Sequence, residues 1–377
     1  MITDRIAEFL AQKQPQSPCL IVDTEVVKNN YLGFVNALPF SRVFYAVKAN
    51  PAPEILRLLV SLGSCFDTAS VEEIQMAFKA GAQPHQVSFG NTIKKEKDIA
   101  LAYQLGVDLF AVDSFEEVEK IARVARGSKV FCRLLTDGAG AEWPLSRKFG
   151  CSSAMAVDVL CFAKKLGLQP IGVSFHVGSQ QTHLAAWDHA IKAAAELFSA
   201  LAKHDIKLKM VNMGGGFPTQ YIKKIPDLDA HSQVIKQALI RYFGNALPET
   251  IIEPGRAMVG NAGVISTEVV LIARKDRTDD KRWVYLDVGR FNGLPETLDE
   301  AIRYKIVSER DGEQLAPCIL AGPTCDSADV IYEKTPYLLP VSLQVGDRLL
   351  VLATGAYTST YASVAFNGFE PIKTFVI

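Results

Sequence analysis

Eight residues in the first two thirds of the 377-residue chain stand where short apolar runs end. In order they are Lys48, Asp67, Asn91, Asp113, Arg133, His176, Gly214 and Glu253. Lys48 closes "FYAVKANP", where Tyr45, Ala46 and Val47 leave an ammonium few partners and little water. A lysine in such a place is paired, neutralised or used covalently, because an unpaired buried charge is costly. The structural reading pairs it with Asp67 on the next strand. The functional reading makes it a Schiff-base lysine, its amine freed by a burial-lowered pKa. "NMGGGFP", Asn212 to Pro218, places Gly214, Gly215 and Gly216 together at a strand end. A plain turn needs one glycine, whereas three leave backbone N–H groups open to wrap a phosphate. The following loop, "EPGRAMVG", adds Gly255 and Arg256. Glu253 before it is suited either to hold the proton of a heterocyclic nitrogen or to pair with Arg256. His176 in "SFHVGS" is suited to stack on a flat ring or to act as a base, although a lone histidine there is more often plain structure. Ser179 lacks a GxSxG context, which argues against a hydrolase triad. A reactive lysine, a one-phosphate cradle, an acid for a ring nitrogen and a stacking histidine together describe pyridoxal phosphate.

The elements that must position these groups are legible as a rhythm. "VFYAVK", "CFDTA", "VSFGN", "LFAVDS", "VFCRLL", "IGVSFHVGS", "MVNMGGG" and "TIIEPG" read as strands. "TEVVKNNYLGFVNAL" precedes the first, and helical segments such as "PEILRLLVSLG", "VEEIQMAFKAG" and "FEEVEKIARVARG" lie between them. Continuous apolar strands separated by helices mean a parallel sheet covered on both faces. Eight units point to a closed (β/α)8 barrel over residues 24–261, with an open doubly wound sheet as the alternative. In a barrel, the strand ends ring one mouth, where such folds keep their chemistry. Loops begin at strand ends, which accounts for Asn91 and Asp113. It does not account for a lysine, an arginine, a histidine and a glutamate on one rim. After residue 261 the texture changes to "VISTEVVLIARK", "KRWVYLDVG" and "SLQVGDRLLVLATG", strands joined by turns. Residues 262–377 therefore read as a β-rich sandwich or barrel domain, joined by residues 1–23 through "PCLIVD".

Composition removes several classes of function. With 40 Lys and Arg against 41 Asp and Glu, the formal net charge is -1, and no basic run offers a nucleic acid its phosphate contacts. No apolar stretch reaches the roughly 20 residues of a membrane span. The charged N-terminus lacks the apolar core of a signal peptide. Seven cysteines without CxxC spacing suit reduced thiols, hence a cytoplasmic setting. Six histidines without HExxH or another ligand cluster argue against a metal.

"YAVKANP", "FDTAS", "SFHVGSQ", "NMGGGFP", "EPGR", "GPTCDSAD" and "GAYT" followed by "FNGF" occur in the order and spacing of one family. The chain resembles the alanine-racemase-type pyridoxal phosphate decarboxylases of the ornithine/lysine branch, over nearly its whole length. The resemblance implies that Lys48 holds the cofactor with Asp67 beside it, that His176 stacks on the ring and that Glu253 meets the pyridinium nitrogen. It gives the phosphate to Ser179, Gly214, Gly215, Gly216, Gly255, Arg256 and Tyr357, with Arg133 near the phosphate and Glu253. Cys325 returns a proton to the α-carbon, Asp326 takes the substrate's distal amine, and Phe366 lines the pocket near the departing carboxylate. "GPTCDSAD" reaches the site of a second subunit, so a homodimer with shared sites is implied.

The substrate reading follows charge. Diaminopimelate decarboxylases of this fold typically carry glutamate after the cysteine and an arginine for the second carboxylate. Here Asp326 follows Cys325, and Glu296, Asp299 and Glu300 enrich "RFNGLPETLDEAIRY" in acid. Acids favour the first turn of a helix, and Asp299 and Glu300 are expected there, solvated; Glu296 is expected at the substrate. An acidic end selects a basic amino acid: ornithine first, giving putrescine for polyamine synthesis, with lysine to cadaverine as a second activity. One methylene is worth only about 1–3 kcal/mol in a pocket. A racemase of this fold would use a tyrosine where this chain has Cys325. A non-catalytic regulator would be expected to lose cofactor residues that are present here.

Overall fold

The computed structural model describes residues 2–143 and 148–377. The chain divides into a barrel unit, Lys28–Pro218 with Ile225–Met258, and a β unit, Met1–Val27 with Thr219–Lys224 and Val259–Ile377. The seams thus fall a few residues inside the span 24–261, and one short excursion of the barrel segment goes with the β unit.

Eight parallel strands close the barrel: β1 (Ser41–Ala46), β2 (Cys65–Thr68), β3 (Val87–Phe89), β4 (Leu109–Val112), β5 (Lys129–Arg133), β6 (Gln169–Ser174), β7 (Met210–Asn212) and β8 (Glu249–Ile252). All eight runs read from the sequence are present. Closure comes from β8 pairing with β1, with Thr250 opposite Ser41 and Ile252 opposite Val43. Helices separate the strands because their apolar positions recur with helical period and their starts are marked. Pro53 sits in the first turn of one, and Ser70 and Ser114 accept the third backbone N–H of two others. Phe44, Cys65, Ala111, Phe131, Met210 and Ile251, one from each of six strands, form a packed cluster. Gly172 of β6 makes room there, since a Cβ would lie 2.4 Å from the Met210 carbonyl oxygen. A short antiparallel pairing, Ala141–Trp143 with Ser179–Gln181, lies outside the barrel sheet. The sequence rhythm does not announce it.

The β unit is a mixed sheet ordered 306–308, 348–352, 263–273, 282–286, 315–321 and 330–340. Cys19–Val22 pairs antiparallel with the 263–273 strand and parallel with Lys373–Val376. Its alternate residues Cys19 and Ile21 pack with Ile6, Val264 and Leu352. Among the described residues, no helix is long and apolar enough to cross a membrane.

Candidate active site

The barrel unit brings the rim residues together. β1 ends at Ala46, and Lys48 stands on a 3-10 turn, Val47–Ala49, whose flanking members are buried. The sequence reading placed Lys48 in a dry strand end; the structure corrects this. The turn rotates its side chain out of the wall, leaving it half exposed (49%), while Asp67 beside it is 6% exposed. Parallel pairing sets Ala46 opposite Asp67, and Lys48 Nζ lies 3.3 Å from Asp67 Oδ2. The other oxygen, Asp67 Oδ1, is buried and accepts no hydrogen bond. Gly90 gives it space, because a Cβ there would fall 1.9 Å from it.

Round the rim from Lys48, past β8 where it pairs with β1, Asn212 at the end of β7 is 1% exposed and works in two directions. Its Oδ1 accepts from Gly214 N at 2.9 Å, and its Nδ2 donates to Glu253 Oε1. Glu253 N donates to Gly214 O at 2.8 Å, so the cradle and the carboxylate are one hydrogen-bonded unit. Burial, and then repulsion from Asp67, push the Glu253 carboxyl up to about 7 against the pull of Asn212, Lys48 and Arg133. His176 goes the other way. Burial, Arg133 and Lys48 hold it down at about 3, and its Nδ1 accepts from Gly178 N at 3.0 Å. The ring is therefore neutral with its proton on Nε2. Arg133, its guanidinium pKa lowered by burial, interacts with Glu253, Asp67 and Asp113 and lies 4.9 Å from the Phe149 ring centre.

The glycine cradle requires glycine on steric grounds. Gly214 and Gly216 have φ of 63° and 101°, a region side chains rarely adopt. A Cβ on Gly215 would fall 2.6 Å from the Glu253 carbonyl oxygen and 3.2 Å from His176 Nε2. Arg256, 3% exposed, donates from Nε to Ser179 Oγ at 3.2 Å. Gly255 is buried just before it. An open amine, a dry acceptor-only carboxylate, a high-pKa acid and a cradle that excludes Cβ atoms fit a phosphorylated pyridine aldehyde. Asn91 and Asp113 are loop ties: Asn91 Nδ2 donates to Ala69 O, and Asp113 Oδ2 accepts from Gly150 N.

The remaining candidates belong to the β unit. Cys325 and Asp326 are exposed. Cys325 N donates to Asn367 Oδ1 at 2.8 Å, and Asp326 Oδ1 accepts from Ala328 N at 2.8 Å. Asp329, 2% exposed, holds this loop by accepting from Thr324 N, Thr324 Oγ1 and Arg290 N. Tyr357 is half-buried with φ 55°, and the Phe366 ring lies 5.0 Å from that of Phe291. Glu296 is 6% exposed within the unit. The helix start expected at Asp299 and Glu300 is overturned, and of the two only Asp299 is solvated as expected, its side chain 81% exposed. Both have positive φ, 54° and 59°, so no helix starts there. Glu300 Oε1 accepts from the backbone N–H of Glu333 and Lys334, and Oε2 pairs with Arg303 at 2.8 Å. A carboxylate with that many local donors is a strap for the adjacent strand.

Asn212, Asn367 and Asp329 were not singled out in the sequence, although "NMGGG", "FNGF" and "GPTCDSAD" contain them. Their type suggests loops, and only their partners reveal what they hold.

The ionisation of Glu253 sets a stability window in the cofactor-free protein. A folded pKa raised from 4.5 to about 7 gives stability that is full below 4.5 and lost as pH rises through 7. Glu253→Gln should therefore gain melting temperature relative to the unaltered protein as pH climbs across that window. Calorimetry showing a constant difference would contradict the assigned burial.

Residues 24–260 match the family described as pyridoxal-dependent decarboxylase, pyridoxal binding domain. The lysine/ornithine decarboxylase of Selenomonas ruminantium is 34% identical over 378 residues, covering 100% of this chain and 93% of that protein. Antizyme inhibitor 2 of Xenopus laevis is 33% identical, over 98% of this chain and 83% of that one. The crystal structure of SrLDC in complex with PLP and cadaverine superposes with a TM-score of 0.89 at 32% identity, covering 100% of this chain and 94% of that one.

Proposed function

The chain belongs to the pyridoxal-dependent decarboxylases and uses pyridoxal phosphate on a basic amino acid, and from that premise we propose that it converts L-ornithine to putrescine, with lysine to cadaverine as a second activity, in polyamine synthesis. The observation that carries the chemistry is the joining of Glu253 to the glycine cradle through Asn212, on the strands next to the one that leads into the Lys48–Asp67 pair. When bound, the cofactor draws electrons from the α-carbon so that its carboxylate can leave as carbon dioxide.

The protein's own groups do the rest. Lys48 Nζ would hold the cofactor through its aldehyde carbon, with Asp67 beside it. Glu253 would meet the ring nitrogen and hold the proton there. Neutral His176 would cover the ring without adding charge. Gly214, Gly215, Gly216, Gly255, Ser179, Arg256 and Tyr357 would take the phosphate, with Arg133 adding positive charge near it. The Cys325 thiol delivers its proton to the carbon that lost the carboxylate. Asp326 receives the distal ammonium, Glu296 supports that acidic end, and Phe366 lines the carboxylate side, a poorly solvating place for a negative charge. We assign Cys325 and Asp326 to the site of a second copy, in a homodimer with two shared sites and with the enzyme in the cytoplasm. Their exposure within the single chain supports that assignment.

Carbon dioxide release from ornithine, lysine, arginine and diaminopimelate tests the substrate. Ornithine is expected to lead and lysine to follow within about 10–200-fold in kcat/KM, the range one methylene allows. Release from diaminopimelate alone would replace this reading with its nearest alternative. The similarity to antizyme inhibitor 2 favours a second reading, a binding protein without turnover. Purified protein that lacks the absorption band of a lysine-bound cofactor, and releases no carbon dioxide, would support it.

A further inference from the structure

We propose that Gln181 is a positioning residue for the cofactor site, its amide and backbone locking the His176 loop and the glycine cradle to each other. Its side chain has no solvent exposure and every polar atom is used. Nε2 donates to Val177 O at 2.8 Å and to Ala139 O at 3.0 Å, and Oε1 accepts from His183 N at 2.9 Å. The backbone N–H of Gln181 donates to Gly216 O at 2.9 Å. One residue thus ties together the 137–140 loop, the 176–179 loop and the last glycine of the cradle.

Peptide planarity turns these ties into control of the site. Val177 C=O and Gly178 N–H belong to one rigid plane and point in opposite directions. Fixing the carbonyl on Gln181 Nε2 therefore aims the Gly178 N–H, which is the donor to His176 Nδ1 at 3.0 Å. That bond selects the ring's tautomer and holds its orientation. Gly216 C=O is fixed in the same way, and with it the peptide that follows the cradle. The contact tolerates no slack, because a Cβ on Gly216 would fall 2.5 Å from Gly178 O. A second tie closes the arrangement: Thr136 Oγ1 donates to His176 O at 2.5 Å, and the 141–143 segment pairs with 179–181. The loop over residues 136–141 contains none of the residues assigned to the cofactor, yet it is bonded to His176, which is, and to Gln181.

Gln181→Met keeps the side chain's length and removes its donors and acceptor, leaving two carbonyls and one N–H unpaired in a dry place. Unpaired buried groups cost enough to weaken pyridoxal phosphate binding by about tenfold or more. Gln181→Glu keeps the acceptor for His183 N but turns a carboxylate towards two carbonyl oxygens, and should bind more weakly still. This inference rests on the reading that this mouth holds the cofactor, so the experiment starts from cofactor-free unaltered protein titrated with pyridoxal phosphate and followed by visible absorption. In the variants the dissociation constant should rise and the absorption maximum shift. At saturating pyridoxal phosphate, kcat should stay depressed with the KM for amino acid unchanged. A melting temperature that falls while affinity and spectrum match the unaltered protein would make Gln181 a fold residue and overturn the inference alone. Failure of the unaltered protein to bind would overturn the site reading, and the inference with it. Should neither variant fold, hydrogen exchange on the unaltered protein decides the matter. Adding pyridoxal phosphate should slow exchange over residues 136–141 as well as 176–183, and unchanged exchange over 136–141 would overturn the linkage.

Discussion

Lys48→Ala is expected to lower carbon dioxide release by at least about 10²–10⁴-fold and to abolish covalent retention of the cofactor. Two lysines of the barrel unit are candidates for covalent use, and their surroundings separate them. Lys94 has no exposed side-chain surface and is held by Glu117 Oε1 at 2.9 Å, Ala111 O at 2.7 Å and Asn91 O at 2.8 Å. Burial lowers its pKa to about 8, which would suit a nucleophile, but its three donors are committed and its side chain has no exposed surface for an aldehyde to approach. Lys48 keeps half its side chain open and stands against Asp67, whose second oxygen has no donor. Geometry therefore outranks the more perturbed pKa. Borohydride reduction followed by peptide mass mapping should place the pyridoxyl label on the peptide containing Lys48. A label on Lys94, or none in a protein that decarboxylates, would remove the basis of the proposed chemistry.

Cys325→Ala is expected to lose activity on the same scale, and its combination with Lys48→Ala carries more information than either alone. The two variants damage residues assigned to opposite contributions to one shared site. Random exchange of subunits in equal amounts makes half the dimers hybrid. In a two-fold dimer each hybrid has one intact site and one doubly damaged site, so roughly a quarter of unaltered activity should return. Neither variant alone can reach that value. Absence of recovery after exchange has been verified, for instance by mass spectrometry of differently tagged subunits, would place Cys325 in the site of its own chain. A Cys325→Ala protein that keeps full turnover would instead remove the thiol from the proton-return step, leaving the shared site to be judged from Asp326.

The positions of the rim residues were readable because their signal is local. A β/α repeat shows its period within a dozen residues, and a strand's end is visible as the switch from apolar run to loop residues. Lys48, Asp67, Arg133, His176 and Glu253 fall at such switches, and glycines at 214, 215 and 216 announce a backbone that must approach something closely. The same locality explains the errors. Lys48 was assigned to a buried strand end because Tyr45, Ala46 and Val47 are apolar; one 3-10 turn, too short for a sequence period, redirects it. Asp299 and Glu300 match a helix start in composition, while their left-handed backbone follows from what Glu300 binds, the N–H groups near residue 333.

The chain's amino-acid order was enough for the alternation of strands and helices, the division into a barrel segment and a β-rich segment, and the residue types on the rim, all of which depend on neighbours within a turn or two. Closure of the sheet through β8 and β1 had to come from the folded molecule, as did the bridge from Asn212 to both Gly214 and Glu253 and the meeting of three loops on Gln181. The pairing of β8 with β1 and the bonds from Asn212 to Glu253 and from Gln181 to Ala139 join groups 40 or more residues apart, and the short-range bonds to Gly214 and Val177 depend on the same packing. An asparagine or glutamine carries no mark of its partner until packing excludes water and leaves each donor a single acceptor within reach.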